Sequence, residues 1–156
     1  MSVSSKTEAD NLSAAESSSG PGYDSNSAVL IDTNGFMIPV QFGVDIFSEL
    51  RRLGFSEFLT ISAVVSELEK ISKTVSGNDR VAARVALQLS QKCGLLEIEH
   101  GQGVRKYADN IIIEAAVKHP VSVLTNDAGL RQKLMKRGVQ VISMRQMNRL
   151  DIINQK

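Results

Sequence analysis

The sequence predicts an α/β fold, a parallel sheet with helices on both faces, and three observations carry that prediction. Ala28-Val29-Leu30-Ile31 is a short continuous apolar run, as expected of a strand buried on both faces. Similar short runs recur down the chain, each separated from the next by a stretch with helical apolar spacing. The length, 156 residues, suits one domain with a real core and leaves little room for a second.

The first 27 residues hold nine serines and almost no large apolar side chain, so they are expected to stay disordered. The domain is expected over residues 28–150, with a short tail at 151–156. After the first strand, Val44, Phe47, Leu50 and Leu53 fall at helical spacing, and Gly54 closes that helix. Phe58 to Ile61 is the second strand. Ser62 then caps a helix with Val64, Val65, Leu68, Ile71 and Val75 on one face. Gly77-Asn78 breaks it, and Asp79 opens another helix with Val81, Val85 and Leu89 inward. Leu95 to Ile98 is the third strand. A longer connection around Gly101-Gln102-Gly103 leads to a helix from Tyr107 to Lys118, ended by Pro120. Val121 to Thr125 is the fourth strand. Asp127 to Arg137 is a helix stopped by Gly138, and Val139 to Ile142 is the fifth strand, followed by a short basic helix.

Composition excludes several chemistries. The single cysteine, Cys93, rules out an internal disulfide and a cysteine-rich zinc site. His100 and His119 are too few and too far apart for a histidine-dominated metal site. A metal would need oxygen ligands, which favours a hard ion such as Mg²⁺ or Mn²⁺. No apolar run approaches the roughly 20 residues of a membrane span, and the N-terminus has no signal-peptide pattern. A cytoplasmic location is the expectation. Net charge is only +1, yet Lys118 to Lys156 holds eight basic residues and two acidic ones. That end suits a polyanion.

The acidic residues carry the functional signal. Asp32 directly follows the first strand, and Asp127 follows the fourth after Asn126. Ligands of open parallel sheets bind beyond the carboxyl ends of the strands, where strand order reverses. If those two strands are neighbours, their ends lie about 5 Å apart. Two carboxylates at such a rim repel each other and favour a cation between them. Asp109 sits in the first turn of its helix at the edge of the buried stripe. Glu67 and Glu69 flank the stripe of theirs, and periodicity does not choose between them. Each acid also has an ordinary explanation. Asp127 can cap a helix, Asp109 can complement a helix dipole, Glu67 can be a surface residue, and Asp32 can close a turn. Together they form the stronger pattern.

These residues resemble the motifs of PIN-domain nucleases: Ile31-Asp32-Thr33-Asn34, Glu67-Leu68, Ala108-Asp109 followed by Ile112, and Thr125-Asn126-Asp127 followed by Leu130-Arg131. The similarity runs from Val29 to about Leu150. The stretch Asp32 to Leu50 is similar to the archaeal group related to PIN endonucleases of small-subunit ribosomal RNA processing. The resemblance implies a three-layer α/β/α fold with a parallel five-stranded sheet of order 3-2-1-4-5, which makes strands one and four neighbours. It implies that Asp32, Glu67, Asp109 and Asp127 are the catalytic, metal-binding set, and so picks Glu67 over Glu69. It implies that Asn34, Thr125 and Asn126 support the acids. Gly35 departs from the family, where a larger residue is common, and is expected to loosen the loop without touching a ligand.

The implied activity is metal-dependent endoribonuclease cleavage of phosphodiester bonds with Mg²⁺ or Mn²⁺. Arg131, Arg145 and Arg149 are the expected RNA contacts, the last two on one face of the final helix. Expected partners are RNA and, within the family, a ribosome precursor, an antitoxin protein or a second copy of the chain, with no membrane. Two alternatives stand beside this reading: a toxin-type PIN ribonuclease controlled by an antitoxin, and a module that binds RNA or protein without cutting. A haloacid-dehalogenase-like phosphatase would want a second acid where Asn34 stands, and a nucleotide-binding loop would want a third glycine where Lys106 stands.

Overall fold

The computed structural model describes residues 27–74, 76–97 and 108–153. The expectations for the N-terminal tail, Val75, Ile98, the Gly101-Gln102-Gly103 connection, Tyr107 and residues 154–156 lie outside the described residues. The elements run β1 (Ala28–Ile31), α1 (Thr33–Phe42), α2 (Ile46–Arg52), β2 (Glu57–Thr60), α3 (Ser62–Thr74), α4 (Asn78–Ser90), β3 (Gly94–Leu95), α5 (Ala108–Lys118), β4 (Ser122–Leu124), α6 (Ala128–Lys136), β5 (Val141–Arg145) and β6 (Arg149–Ile153).

The sheet order is β3-β2-β1-β4-β5-β6. The first five strands are mutually parallel, in the expected order 3-2-1-4-5, and helices complete a three-layer α/β/α architecture. β1 is central and all four of its residues are buried, which explains its continuous apolar run. Its register pairs Ile31 with Leu124, so Asp32 and Thr125 leave the sheet at the same level.

The C-terminus corrects the sequence reading. In place of a basic helix, β5 continues to Arg145, turns at residues 146–148 and returns as β6, antiparallel to β5. The expected domain boundary at Leu150 therefore falls inside a strand. Leu150 is fully buried. Its outward backbone groups are met by α2: its N–H donates to Glu49 Oε1 at 3.0 Å and its carbonyl accepts from Arg52 Nη2 at 2.7 Å. Side chains thus take the place of a neighbouring strand at this edge.

Two helices also differ from expectation. α1 was not legible as a helix. It is apolar on several sides, with Phe36, Met37 and Ile38 buried in succession, and it contains Pro39. A buried helix of this kind shows no amphipathic period. On α4, Val81 is exposed, while Ala82, Ala83 and Ala86 are buried. α4 packs on α1 and α3 through this alanine face, where small side chains allow close helix approach.

Candidate active site

Asp32 is the first residue past β1 and the N-cap of α1. Its Oδ1 accepts from Gly35 N–H at 2.7 Å, and its Oδ2 accepts from the Thr125 hydroxyl at 2.8 Å. It is only 3% exposed. Burial pushes its pKa up to about 7; the bonds from Gly35 and Thr125 oppose the rise, and the nearby Asp109 and Asp127 charges add to it.

Asp127 plays the same local part after β4. It caps α6, with Oδ1 accepting from Gly129 N–H at 2.8 Å and Leu130 N–H at 3.3 Å. Both of these bonds fall on Oδ1, and among the described residues none falls on Oδ2. The capping explanation for Asp127 is therefore correct as far as it goes, and it does not compete with a second role. Thr125 joins the two acids: its hydroxyl donates to Asp32 and accepts from the Asp127 backbone N–H at 3.1 Å.

Asp109 stands in the first turn of α5, half-buried. Its pKa is raised, first by burial, then by the charges of Asp127 and Glu67, with Lys133 opposing. Glu67 is exposed on α3 and accepts from the Thr33 hydroxyl at 2.6 Å. Thr33 is the first residue of α1, next to Asp32, so α1 reaches both acids. Asp32 and Asp127 thus stand at the carboxyl edge of β1 and β4, each within electrostatic reach of Asp109, and Glu67 reaches Asp109 from α3 and bonds Thr33, contacts that Glu69 lacks among the described residues.

Three supporting contacts were missed or misjudged in the sequence. Thr33, between Asp32 and Asn34, carries no local signal of its bond to Glu67, 34 positions away. Ser143 is fully buried; its hydroxyl donates to Asn126 Oδ1 and accepts from Arg131 Nη1, both at 3.1 Å. Asn126 and Arg131 are therefore linked through β5. Gly35 does not loosen the loop. A Cβ there would lie 2.8 Å from the Leu124 carbonyl oxygen and 3.0 Å from Ile31 Cγ2, and its N–H bonds Asp32 directly. Glycine lets the start of α1 sit against the end of β4. Asn34 is exposed and, among the described residues, makes no hydrogen bond to the acids.

The basic residues fall differently from expectation. Arg131 is half-buried and turned toward Ser143. Arg145 forms an ion pair with Asp151 at 2.8 Å, and Arg149 is exposed opposite it across the hairpin. They share a hairpin tip and not a helix face. His119 is remote from the acids. It lines a hollow of about 310 Å³ with Ser122, Arg137 and Gln140 at the opposite edge of the sheet. His100 lies outside the described residues.

The donor set fits a hard divalent ion: it is all carboxylate oxygen, partly desolvated, and mutually repelling. Among the described residues no three such groups converge on one point, so the acids form an open cluster and not a closed cage.

The chain matches the family described as a PIN-like domain over residues 29–147. It is 37% identical over 112 residues to Ribonuclease VapC9 of Archaeoglobus fulgidus, covering 72% of this chain and 78% of the relative. It is 26% identical over 129 residues to Ribonuclease VapC4 of Methanocaldococcus jannaschii, covering 80% of this chain and 95% of the relative. Among solved structures, the PIN domain endonuclease Utp24 is similar with a TM-score of 0.64 and 26% identity, covering 81% of this chain and 91% of that one. Fold, acid placement and these similarities agree: the chain belongs to the PIN-like domain family.

Proposed function

We propose that this protein is a divalent-metal-dependent endoribonuclease, with Asp32, Glu67, Asp109 and Asp127 holding Mg²⁺ or Mn²⁺. The observation that carries the reading is Asp32: a buried carboxylate at the sheet's carboxyl edge, coupled to Asp109 and Asp127, with no basic group among the causes of its shift. A bound cation supplies the charge that activates water and stabilises the scissile phosphate. The protein's own residues set the approach. Thr125 and Gly35 fix the Asp32 carboxylate, Thr33 fixes Glu67, and the Arg131–Ser143–Asn126 link steadies the turn that delivers Asp127. The acids sit on an open rim, which suits a polymer.

The likeness to the PIN domain endonuclease Utp24 and to the two VapC ribonucleases supports endonucleolytic cleavage of RNA. The resemblance of Asp32 to Leu50 to PIN endonucleases of small-subunit ribosomal RNA processing favours a role there, and a toxin-type enzyme restrained by an antitoxin protein is the alternative. A cytoplasmic location belongs to both readings. No helix among the described residues is long and apolar enough to cross a membrane.

The test is incubation with structured and unstructured RNAs in EDTA, Mg²⁺ and Mn²⁺. Cleavage should require metal, and metal should raise Tm. At a hundred times Kd the gain is about 2.7 kcal/mol. Metal-independent cleavage, or no Tm shift at millimolar metal, counts against the site.

A further inference from the structure

The β5–β6 hairpin tip has a feature that neither the acids nor the fold requires. Gln146 and Met147 are consecutive non-glycine residues with φ of 57° and 65°. They occupy the two central positions of a tight turn, with Asn148 N–H 3.5 Å from the Arg145 carbonyl. Turns of this hand favour Asn-Gly or Asp-Gly, which adopt positive φ at little cost. Here two long side chains are kept in that conformation. Met147 is 70% exposed, the highest value among the exposed large apolar side chains of the described residues. Strain held together with an exposed apolar group is grounds for a functional hypothesis.

The stem of the hairpin is well fixed. Arg145 pairs with Asp151, and α2 holds both backbone groups of Leu150 through Glu49 and Arg52. The tip also stands on the correct side of the molecule. β5 is parallel to β4 with Ile142 beside Leu124, so its far end points past the same edge that carries the acids. Arg145 lies three residues beyond Ile142, about 10 Å past that level at the usual strand rise. β5 is two strands from β1, again about 10 Å sideways. Met147 thus stands on a raised wall beside the acid cluster, with Arg149 exposed next to it.

We propose that this tip grips single-stranded RNA beside the cleavage site, Met147 packing on the face of an unpaired base while Arg149 meets the backbone phosphate. The inference rests on the ribonuclease reading and adds a preference to it. An apolar, polarisable side chain gains little from a phosphate but packs well on a π face. Base faces are open in single strands and covered in a duplex. Arg145 is held in a direct ion pair with Asp151, whereas Arg149 is exposed and feels Glu49 only as a nearby charge, so the phosphate contact falls to Arg149.

The test uses the full chain and two variants, Met147→Ser and the double change Gln146→Asn with Met147→Gly. Binding of an unstructured RNA and of a duplex of equal length is measured by fluorescence anisotropy in EDTA, and cleavage in Mn²⁺. The double variant should raise Tm by relieving the turn, yet weaken single-strand binding about tenfold. Met147→Ser should weaken it several-fold, and duplex binding should be unchanged in both. If both variants bind and cut single strands as the wild type does, the tip is only a turn and the proposal fails while the ribonuclease reading stands. Equal losses on single strand and duplex also overturn base packing. A wild type that neither binds nor cuts RNA overturns both.

Discussion

Asp32 and Asp127 look alike in sequence and occupy equivalent places in the fold. Each follows a buried parallel strand, each caps the next helix, and each has a glycine in the first turn it caps. Their surroundings differ. Asp32 follows the central strand and is 3% exposed, with a pKa pushed to about 7, whereas Asp127 is half-buried. The lesson is that a motif places a carboxylate, but the depth of the strand beneath it sets the electrostatic cost. Capping alone would suit either residue at little cost; the burial of Asp32 is a liability that a bound cation would offset.

The largest expected effect is at Asp32. Asp32→Asn should reduce cleavage by at least about a thousandfold, while keeping the fold, because Asn also caps helices well. Without metal the same variant should be the more stable protein above pH 7. The folded state holds a proton on Asp32 that the unfolded state has released between its ordinary pKa of 3.8 and about 7. Stability therefore falls as pH rises through that window, by at most about 4 kcal/mol at 1.36 kcal/mol per unit. The Asn variant should lose that slope. Denaturant melts of both proteins at pH 4.5 and 8 check it: equal slopes would mean Asp32 is not carrying a buried charge. Asp127→Asn removes one of the charges that raise the pKa of Asp32 and Asp109, so it should reduce that slope only in part, because burial is the larger cause at both.

Much of this contrast was legible in the sequence. The apolar run of β1 followed at once by Asp32, and Thr125-Asn126-Asp127 after β4, are local signals, and the reversal of strand order between them brings the ends together. What failed to show was set by tertiary contact. α1 buries Phe36, Met37 and Ile38 in succession, so its period vanished. α4 buries alanines in place of Val81 because two helices press against that face. The β5–β6 turn has Gln146 and Met147 at its central positions, where glycine, asparagine or aspartate is customary, so the segment after Ile142 reads as a short helix. The Thr33–Glu67 bond spans 34 positions and depends on where a long side chain points.

The glycines sharpen the comparison at a smaller scale. Gly35→Ala would put a Cβ 2.8 Å from the Leu124 carbonyl oxygen, with two more neighbours at 3.0 and 3.1 Å. Backbone must move, so a loss of about 2–3 kcal/mol is expected, along with displacement of the N–H that holds Asp32. Gly129→Ala would meet only Asp127 Oδ1, at 3.4 Å. It should be neutral or gain up to about 1 kcal/mol from helix propensity. Thermal melts of the two single variants decide the matter, and similar losses in both would show that α1 and α6 begin in equally crowded surroundings.

The threonines give the finest test. Thr125 is fully buried and its hydroxyl serves both aspartates, whereas Thr33 bonds an exposed carboxylate. Removing a partner of a buried charged group costs about 1–3 kcal/mol, and an exposed one much less. Thr125→Val should therefore lower stability by about 2 kcal/mol, more at pH 8 than at pH 4.5, because the lost bond favours ionised Asp32. Thr33→Val should change stability by under about 0.5 kcal/mol. Its effect should appear in catalysis instead: Glu67 regains rotamer freedom, so kcat should fall several-fold with KM for RNA unchanged, and Thr33→Ser should restore it. A Thr33→Val enzyme with wild-type kcat would mean that Glu67 needs no support from α1, leaving Asp32 and Asp127 as the acids whose positions the strand ends fix.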